Sequence, residues 1–197
     1  CGSSSNSCSV TVRATDAAGT ATDLTIAVTI NDLNDQAPTW TTQATQSVDE
    51  NSQTVATLAA TDTDTADANG LAYSIVTNDN DLFTIDGTTL KFASAPNYEA
   101  PGCGSSSNSC SVTVRATDAA NAATDLTITV TINDLNDQTP SWTTANTASV
   151  NENTQTVVAA LAATDTDTAD AGGLAYTIQT NDNDLFEIDG TTLQFAT

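Results

Sequence analysis

The segment INDLNDQ occupies residues 30–36 and returns letter for letter at 132–138, each time setting two aspartates and two asparagines between a hydrophobic run and a proline. Further acids recur in fixed local settings: Glu50 in VDEN, Asp62 and Asp64 in ATDTD, Glu99 in PNYE, Asp118 in RATD, and Asp165 and Asp167 in the second ATDTD. Grouped carboxylates serve either glycosidic cleavage, through an acid paired with a base or nucleophile, or coordination of a cation. Carboxylates at short range repel one another and take up protons unless a countercharge intervenes. Hard oxygen donors mixed with backbone carbonyls suit Ca2+, which takes about 6–8 oxygens. Mg2+ prefers its own waters and a strict octahedron. Transition metals normally recruit histidine or thiolate, and the chain has no histidine. With the acids assigned to metal or to turns, the chain is expected not to be an enzyme.

The overall charge points the same way. The 197-residue chain carries 25 acids against 3 bases, a formal net charge of −22. The bases are Arg13, Lys91 and Arg115. Nucleic acid and anionic lipid both require a basic surface, so neither is expected as a partner. Disorder does not fit, because 39% of the residues are hydrophobic and they alternate in order. No apolar run approaches the ~20 residues of a membrane span. No signal peptide is visible and residue 1 is not methionine, which reads as a processed or excised piece.

The four cysteines lie in two copies of CGSSSNSC, at Cys1–Cys8 and Cys103–Cys110. A pair bracketing so short a Gly/Ser/Asn loop reads as a local disulfide; zinc sites use tighter spacing and a second ligand pair. Closing such a loop contributes about 2–3 kcal/mol in the chain-entropy model. It also implies an oxidising location outside the cytosol, extracellular or at the cell surface.

These residues need a frame, and the frame is repeated. Cys1 matches Cys103, Val10 matches Val112, Trp40 matches Trp142 and Val48 matches Val150, all at an offset of 102. An extra residue enters near Val158–Ala160, after which Leu58 matches Leu161 and Tyr73 matches Tyr176 at an offset of 103. Pro38 and Pro140 mark the seams. One complete repeat therefore runs over 36–137, residues 1–35 are the last part of a preceding repeat, and 138–197 are the first part of the next. Only the counterpart of the eight residues 95–102 is missing between the two end pieces. The chain reads as a window on a longer tandem array, with exchange of ends between chains as the alternative.

Leu24, Ile26, Val28 and Ile30 alternate with Thr25, Ala27 and Thr29, the period-two pattern of a strand with one buried face. Val10, Val12 and Ala14 form the strand before it, and Leu71, Tyr73 and Ile75 another. Phe83 and Ile85, a turn at Asp86-Gly87, then Leu90 and Phe92 read as a hairpin. With strands at Thr39–Val48 and Thr54–Ala60, a repeat holds about seven, which predicts an all-β chain of seven-stranded Greek-key sandwiches set end to end. Trp40 and Trp142 are expected in core or seam packing. Alternate loops then fall at opposite poles. Two poles facing across one linker bring together Glu50, Glu99, Asn136, Asp137, Asp165 and Asp167. Asp67, Asp79, Asp81, Asp170 and Asp184 are expected only in turns.

The ordered set ENxxxV, AxDxD, xYE, AxD and DxNDx-P, seen over the whole chain, resembles a cadherin repeat. It is most similar to the cadherin-like repeats of prokaryotic surface proteins, with YE in place of the animal DRE. The resemblance implies up to three Ca2+ at each junction. It implies ligands from Glu50 and Glu99, the carbonyls of Leu135 and Gln138, the side chains of Asn136 and Asp137, and Asp165 and Asp167 from the following repeat. The earlier junction would use Leu33, Asn34, Asp35, Gln36, Asp62 and Asp64, with the Asn69 carbonyl and Asp118. Asp16 would serve a junction before residue 1. The sequence departs from the pattern at Asn97, where an aspartate is usual, at Gln36 and Gln138, which replace asparagine, and at Gly172, which stands where Asn69 does. The function this implies is a calcium-rigidified structural repeat of an extracellular filament or surface fibre, partnered by neighbouring copies. The alternative is a calcium-dependent surface adhesin that recognises another cell, matrix or glycan. A shared Lys–Asn crosslink is improbable, because Lys91 is the only lysine and its counterpart is Gln194.

Overall fold

The computed structural model describes residues 6–64, 70–153, 157–168, 170 and 173–196. The first strands, β1 (Ser7–Thr15) and β2 (Ala21–Thr29), pair antiparallel as a hairpin. The complete sandwich follows. It comprises β3 (Thr39–Trp40), β4 (Thr45–Asp49), β5 (Thr54–Thr57), β6 (Ala60–Thr61), β7 (Ala72–Asn78), β8 (Phe83–Asp86), β9 (Thr89–Phe92), β10 (Ser109–Thr117) and β11 (Ala123–Asn133). One sheet runs β4-β11-β10-β7 and faces a second running β5-β9-β8, with β3 and β6 paired alongside. The all-β sandwich expected from the period-two pattern is thus present.

Two of the expected strands are split, for a topological reason. The stretch 39–48 pairs antiparallel with β6 at Trp40↔Ala60, then crosses to the other sheet, where β4 runs parallel to β11 from Thr45↔Thr129 to Asp49↔Asn133. The stretch 54–60 breaks between β5 and β6 at Leu58, which is buried. The hairpin β8–β9 closes at Asp86↔Thr89 with Gly87 at φ 62, a left-handed conformation that glycine adopts without a Cβ clash.

Alternation decides what is buried. Val112 and Val114 of β10 and Ile128, Val130 and Ile132 of β11 point inward against Phe83, Leu90, Phe92, Val55 and Leu58. Phe83 and Phe92 lie with ring centroids 4.7 Å apart. Outward positions carry Thr113–Thr127 and a bidentate Arg115–Asp125 pair, directly opposite in register. Asn78 braces the turn into β8, donating from Nδ2 to the Phe83 carbonyl and accepting the Phe83 N–H. Cys103 and Cys110 are bonded to each other and buried in the core. Cys1 lies outside the described residues, and with it the Cys1–Cys8 pairing.

Trp40 is core packing, as expected: its ring lies 5.5 Å from Tyr73 and its indole N–H donates to the Thr124 carbonyl at 3.0 Å. Trp142 differs, being 64% exposed although its ring lies 5.4 Å from Tyr176.

The last piece holds β12 (Ser141–Trp142), β13 (Val157–Ala160), β14 (Ala163–Thr164), β15 (Phe186–Asp189) and β16 (Thr192–Phe195). β12 pairs with β14, and β13-β16-β15 form a small sheet. Its register corrects one detail of the repeat alignment. Val157 pairs with Gln194 as Thr54 pairs with Lys91, so Val158, not Val157, is the counterpart of Val55. The extra residue therefore enters before Val157 rather than at 158–160. An insertion ahead of the strand leaves the inward face of β13 in phase.

Candidate cation site at the junction

The linker after β11 is held by an acid from the first loop of the sandwich. Glu50 follows β4, is 1% exposed, and accepts the Tyr98 N–H at Oε2 and the Leu135 N–H at Oε1. Asn51, at φ 63, donates from Nδ2 to Asp137; asparagine tolerates this left-handed region better than other side chains. On the far side, Asp167 Oδ2 accepts the Gln138 N–H at 2.9 Å, Asp165 Oδ1 accepts the Asp167 N–H at 3.0 Å, and the Thr168 N–H donates to Asp134. The earlier linker repeats this lower half: Asp64 Oδ2 accepts the N–H groups of Asp35 and Gln36, and Asp62 Oδ1 accepts the Asp64 N–H.

Three groups of carboxylates form at the later junction, each with ligand oxygens mutually within 4.8 Å: Glu50, Glu99 and Asp137; Glu99, Asp134 and Asp167; and Asp165, Asp167 and Asp170. Loss of solvent pushes the Glu99 carboxyl above its ordinary range, and the charges of Glu50 and Asp137 add to this. Asp167 is raised likewise, first by burial and then by Asp165, Asp134 and Asp137. Asp134 is held lower, chiefly by hydrogen bonds from Thr168.

These carboxylates fit a hard cation. Glu99 Oε1, Asp134 Oδ1, Asp165 Oδ2 and Asp167 Oδ1 are buried and accept no hydrogen bond. Buried polar oxygens are normally satisfied, and no basic side chain is free to do it here. The three basic residues pair elsewhere: Arg13 with Asp23, Lys91 with Asp86, and Arg115 with Asp125.

Other candidate residues are placed differently. Leu135 and Asn136 are exposed, and Gln138 Nε2 donates to Asp137. At the earlier junction, Asp62 Oδ2 and Asp118 Oδ2 are likewise buried without a partner, while Leu33 is exposed. Asn34 is half-buried. Asp16 is exposed and caps its own turn through the N–H groups of Ala18 and Thr20. Asn69, Asp67 and Gly172 lie outside the described residues. Asn97 caps a turn by accepting the Ala100 N–H. Asp170 lies in a turn, its N–H donating to the Asp167 carbonyl and its own carbonyl accepting the Gly173 N–H, and its carboxylate also comes close to those of Asp165 and Asp167. Asp134, not among the expected ligands, also lies with Glu99 and Asp167, and its place as the first acid of DLND was the available signal.

Residues 44–133 match the cadherin domain family. This stretch is a cadherin domain. Protocadherin Fat 4 of mouse is 34% identical over 143 residues, covering 68% of this chain and 3% of its own length. Among solved structures, the protocadherin gammaB7 EC3-6 cis-dimer superposes with a TM-score of 0.75 at 22% identity, over 97% of this chain and 52% of that one. The human desmocollin-1 ectodomain gives 0.64 at 24% identity, over 93% of this chain and 38% of that one. The chain thus spans about half of the gammaB7 chain and much less of Fat 4. A cadherin domain is a non-enzymatic module, which accords with reading the acids as ligands. Among the described residues, no helix is long and apolar enough to cross a membrane.

Proposed function

We propose that this chain is a structural segment of an extracellular filament or surface fibre, in which Ca2+ stiffens the junctions between consecutive cadherin repeats. The observation that carries this is the set of partnerless buried oxygens on Glu99, Asp134, Asp165 and Asp167, contributed by two consecutive repeats and the linker between them. Bound Ca2+ supplies the missing countercharge. Glu50, Glu99, Asp134, Asp137, Asp165, Asp167 and Asp170 hold it, with the linker carbonyls of Leu135 and Gln138 and the Asn136 side chain completing the shell. Glu50 keeps its two backbone hydrogen bonds, because each carboxylate oxygen has a second lone pair. At the earlier junction the same role falls to Leu33, Asn34, Asp35, Gln36, Asp62, Asp64, Asn69 and Asp118. The linker, polar and exposed, is stiff only while the cation ties both flanking repeats to it.

Small-angle scattering with and without chelator tests this. Removing Ca2+ is expected to shorten the maximum dimension while the sandwich keeps its strand signal. An unchanged dimension, together with no heat of Ca2+ binding by calorimetry, would overturn the reading. Similarity to a protocadherin structure solved as a cis-dimer favours a second reading, an adhesion module that associates side by side. Lateral dimers that need Ca2+ in sedimentation would support that one instead.

A further inference from the structure

Glu99 belongs to two of the carboxylate groups at the later junction, one with Glu50 and Asp137, the other with Asp134 and Asp167. A side chain shared in this way needs a fixed backbone, yet residues 94–102 form neither strand nor helix. Packing holds this loop only in part. Tyr98 lies against the core, but a cleft of about 220 Å³ opens beneath the loop, lined by Leu82, Phe92, Pro96, Ala100, Cys103 and Ile132.

Two ties from the start of β10 hold the loop instead. The first is Asn108, whose Nδ2 donates to the Tyr98 carbonyl at 2.9 Å. That carbonyl belongs to the rigid, planar peptide unit whose nitrogen is that of Glu99, so holding it sets the direction in which the Glu99 side chain leaves. On the other side of Tyr98, its N–H donates to Glu50 Oε2 at 2.8 Å. Asn108 is itself fixed, because its carbonyl accepts the Ile132 N–H of β11 at 2.8 Å. Its Oδ1 is buried without a partner, a cost that an apolar side chain of the same size would not carry. What the amide contributes is the one bond it donates. The second tie is the disulfide, which joins Cys103, where the loop ends, to Cys110 in β10. The loop's other backbone bonds to its surroundings lie farther from Glu99: the Asn51 N–H donates to the Pro96 carbonyl, and Asn80 Nδ2 to the Gly102 carbonyl.

We propose that Asn108 is a positioning residue for Glu99, and that the closed Cys103–Cys110 bond, tying down the same loop, sets how tightly the junction takes Ca2+. The inference rests on the calcium reading above. Neither Asn108 nor the cysteines is a ligand; they act through the backbone of Tyr98 and Glu99. Freed of either tie, the loop has room to move over the cleft, and the Glu99 carboxylate is no longer held beside Glu50, Asp134, Asp137 and Asp167. Ordering it then consumes part of the binding free energy.

The test uses the full chain well below its melting temperature. Calorimetric titration with Ca2+ is expected to show affinity about tenfold lower for Asn108→Leu, and likewise for Cys103→Ala with Cys110→Ala, the loss usual when a ligand's supporting partner is removed. Asn108→Leu deletes the unpaired oxygen together with the hydrogen bond, so its melting in chelator is expected to stay near the parent's. Val114→Ala is the control. It opens a cavity at a fully buried position and lowers melting, and it is expected to bind Ca2+ as the parent does. Hydrogen exchange in chelator reads the positioning without the metal: the Tyr98 amide is expected to exchange faster in both loop variants. Unchanged exchange at Tyr98 would overturn the proposal, as would loop variants that bind Ca2+ like the parent, or equal weakening by Val114→Ala. A parent chain that takes up no Ca2+ would remove the calcium reading and this inference together; a parent that binds beside loop variants that bind equally well removes this inference alone.

Discussion

The Leu135 N–H donates to Glu50 Oε1 at 2.9 Å, so an acid 85 residues earlier in the chain holds the start of the linker. Glu50 itself is anchored by donating its N–H to the Asn133 carbonyl at the end of β11. The linker is therefore registered against the core before any cation arrives, and a ligand there meets a partly formed site.

Asp167→Asn should separate the two roles of the acid cluster. The amide keeps the shape and removes one charge. Ca2+ affinity at the junction is expected to fall at least tenfold, about 1.4 kcal/mol. Without Ca2+ the same substitution relieves repulsion from Asp165, Asp134 and Asp137, so melting should not drop and is expected to rise slightly. Calorimetric titration and thermal melts in chelator measure both signs.

Asp170 and Asp79 look alike in sequence, each set in a polar turn, but only Asp170 joins a three-carboxylate group. Asp79 accepts the Gly104 N–H instead. Asp170→Asn is expected to weaken Ca2+ binding severalfold, while Asp79→Asn leaves it unchanged. Equal titration curves for the two variants would remove Asp170 from the site.

Proton linkage follows from the raised carboxyls of Glu99 and Asp167. An acid whose folded pKa exceeds its unfolded value binds protons more tightly when folded. Its contribution to stability is full below the unfolded pKa and is lost as pH rises through the folded one. The metal-free junction should therefore become more stable as the solution is made mildly acidic. Ca2+ binding should release protons there and weaken, whereas near pH 8 the exchange should be close to nil. Calorimetry in buffers of different ionisation enthalpy reads the proton count directly.

The buried Cys103–Cys110 bond staples an exposed loop at the start of β10. Cys103→Ser with Cys110→Ser is expected to cost about 2–3 kcal/mol. That lowers the melting temperature of a domain this size by about 10–20 °C. Thermal denaturation of the variant, and of the parent under reductant, should agree.

Period-two alternation made the strands readable, because one face of each is buried and the other is wet. It said little about where the first strand crosses between sheets, since both halves of 39–49 alternate alike; the crossing is set by which edge each half can reach. The recurrence of the acids was readable, and the structure brings the carboxylates of Glu50, Glu99 and Asp137 close together. The approach of Asp170 to Asp165 and Asp167 was not readable, because local composition gives no sign of it. The exposure of Trp142 was likewise hidden, since its sequence setting matches that of Trp40.

The parallel pairing of β4 with β11 has a mechanical consequence. The polypeptide enters the sandwich through the two-residue β3, runs on into β4, and leaves just after β11. Tension along a fibre would draw these neighbours in opposite directions along their common axis. The ladder from Thr45↔Thr129 to Asp49↔Asn133 is then loaded in shear, with its hydrogen bonds sharing the strain at once. A pull that peeled an edge strand would break them singly. In a fibre of such repeats, this pairing would resist stretching along the direction of the chain.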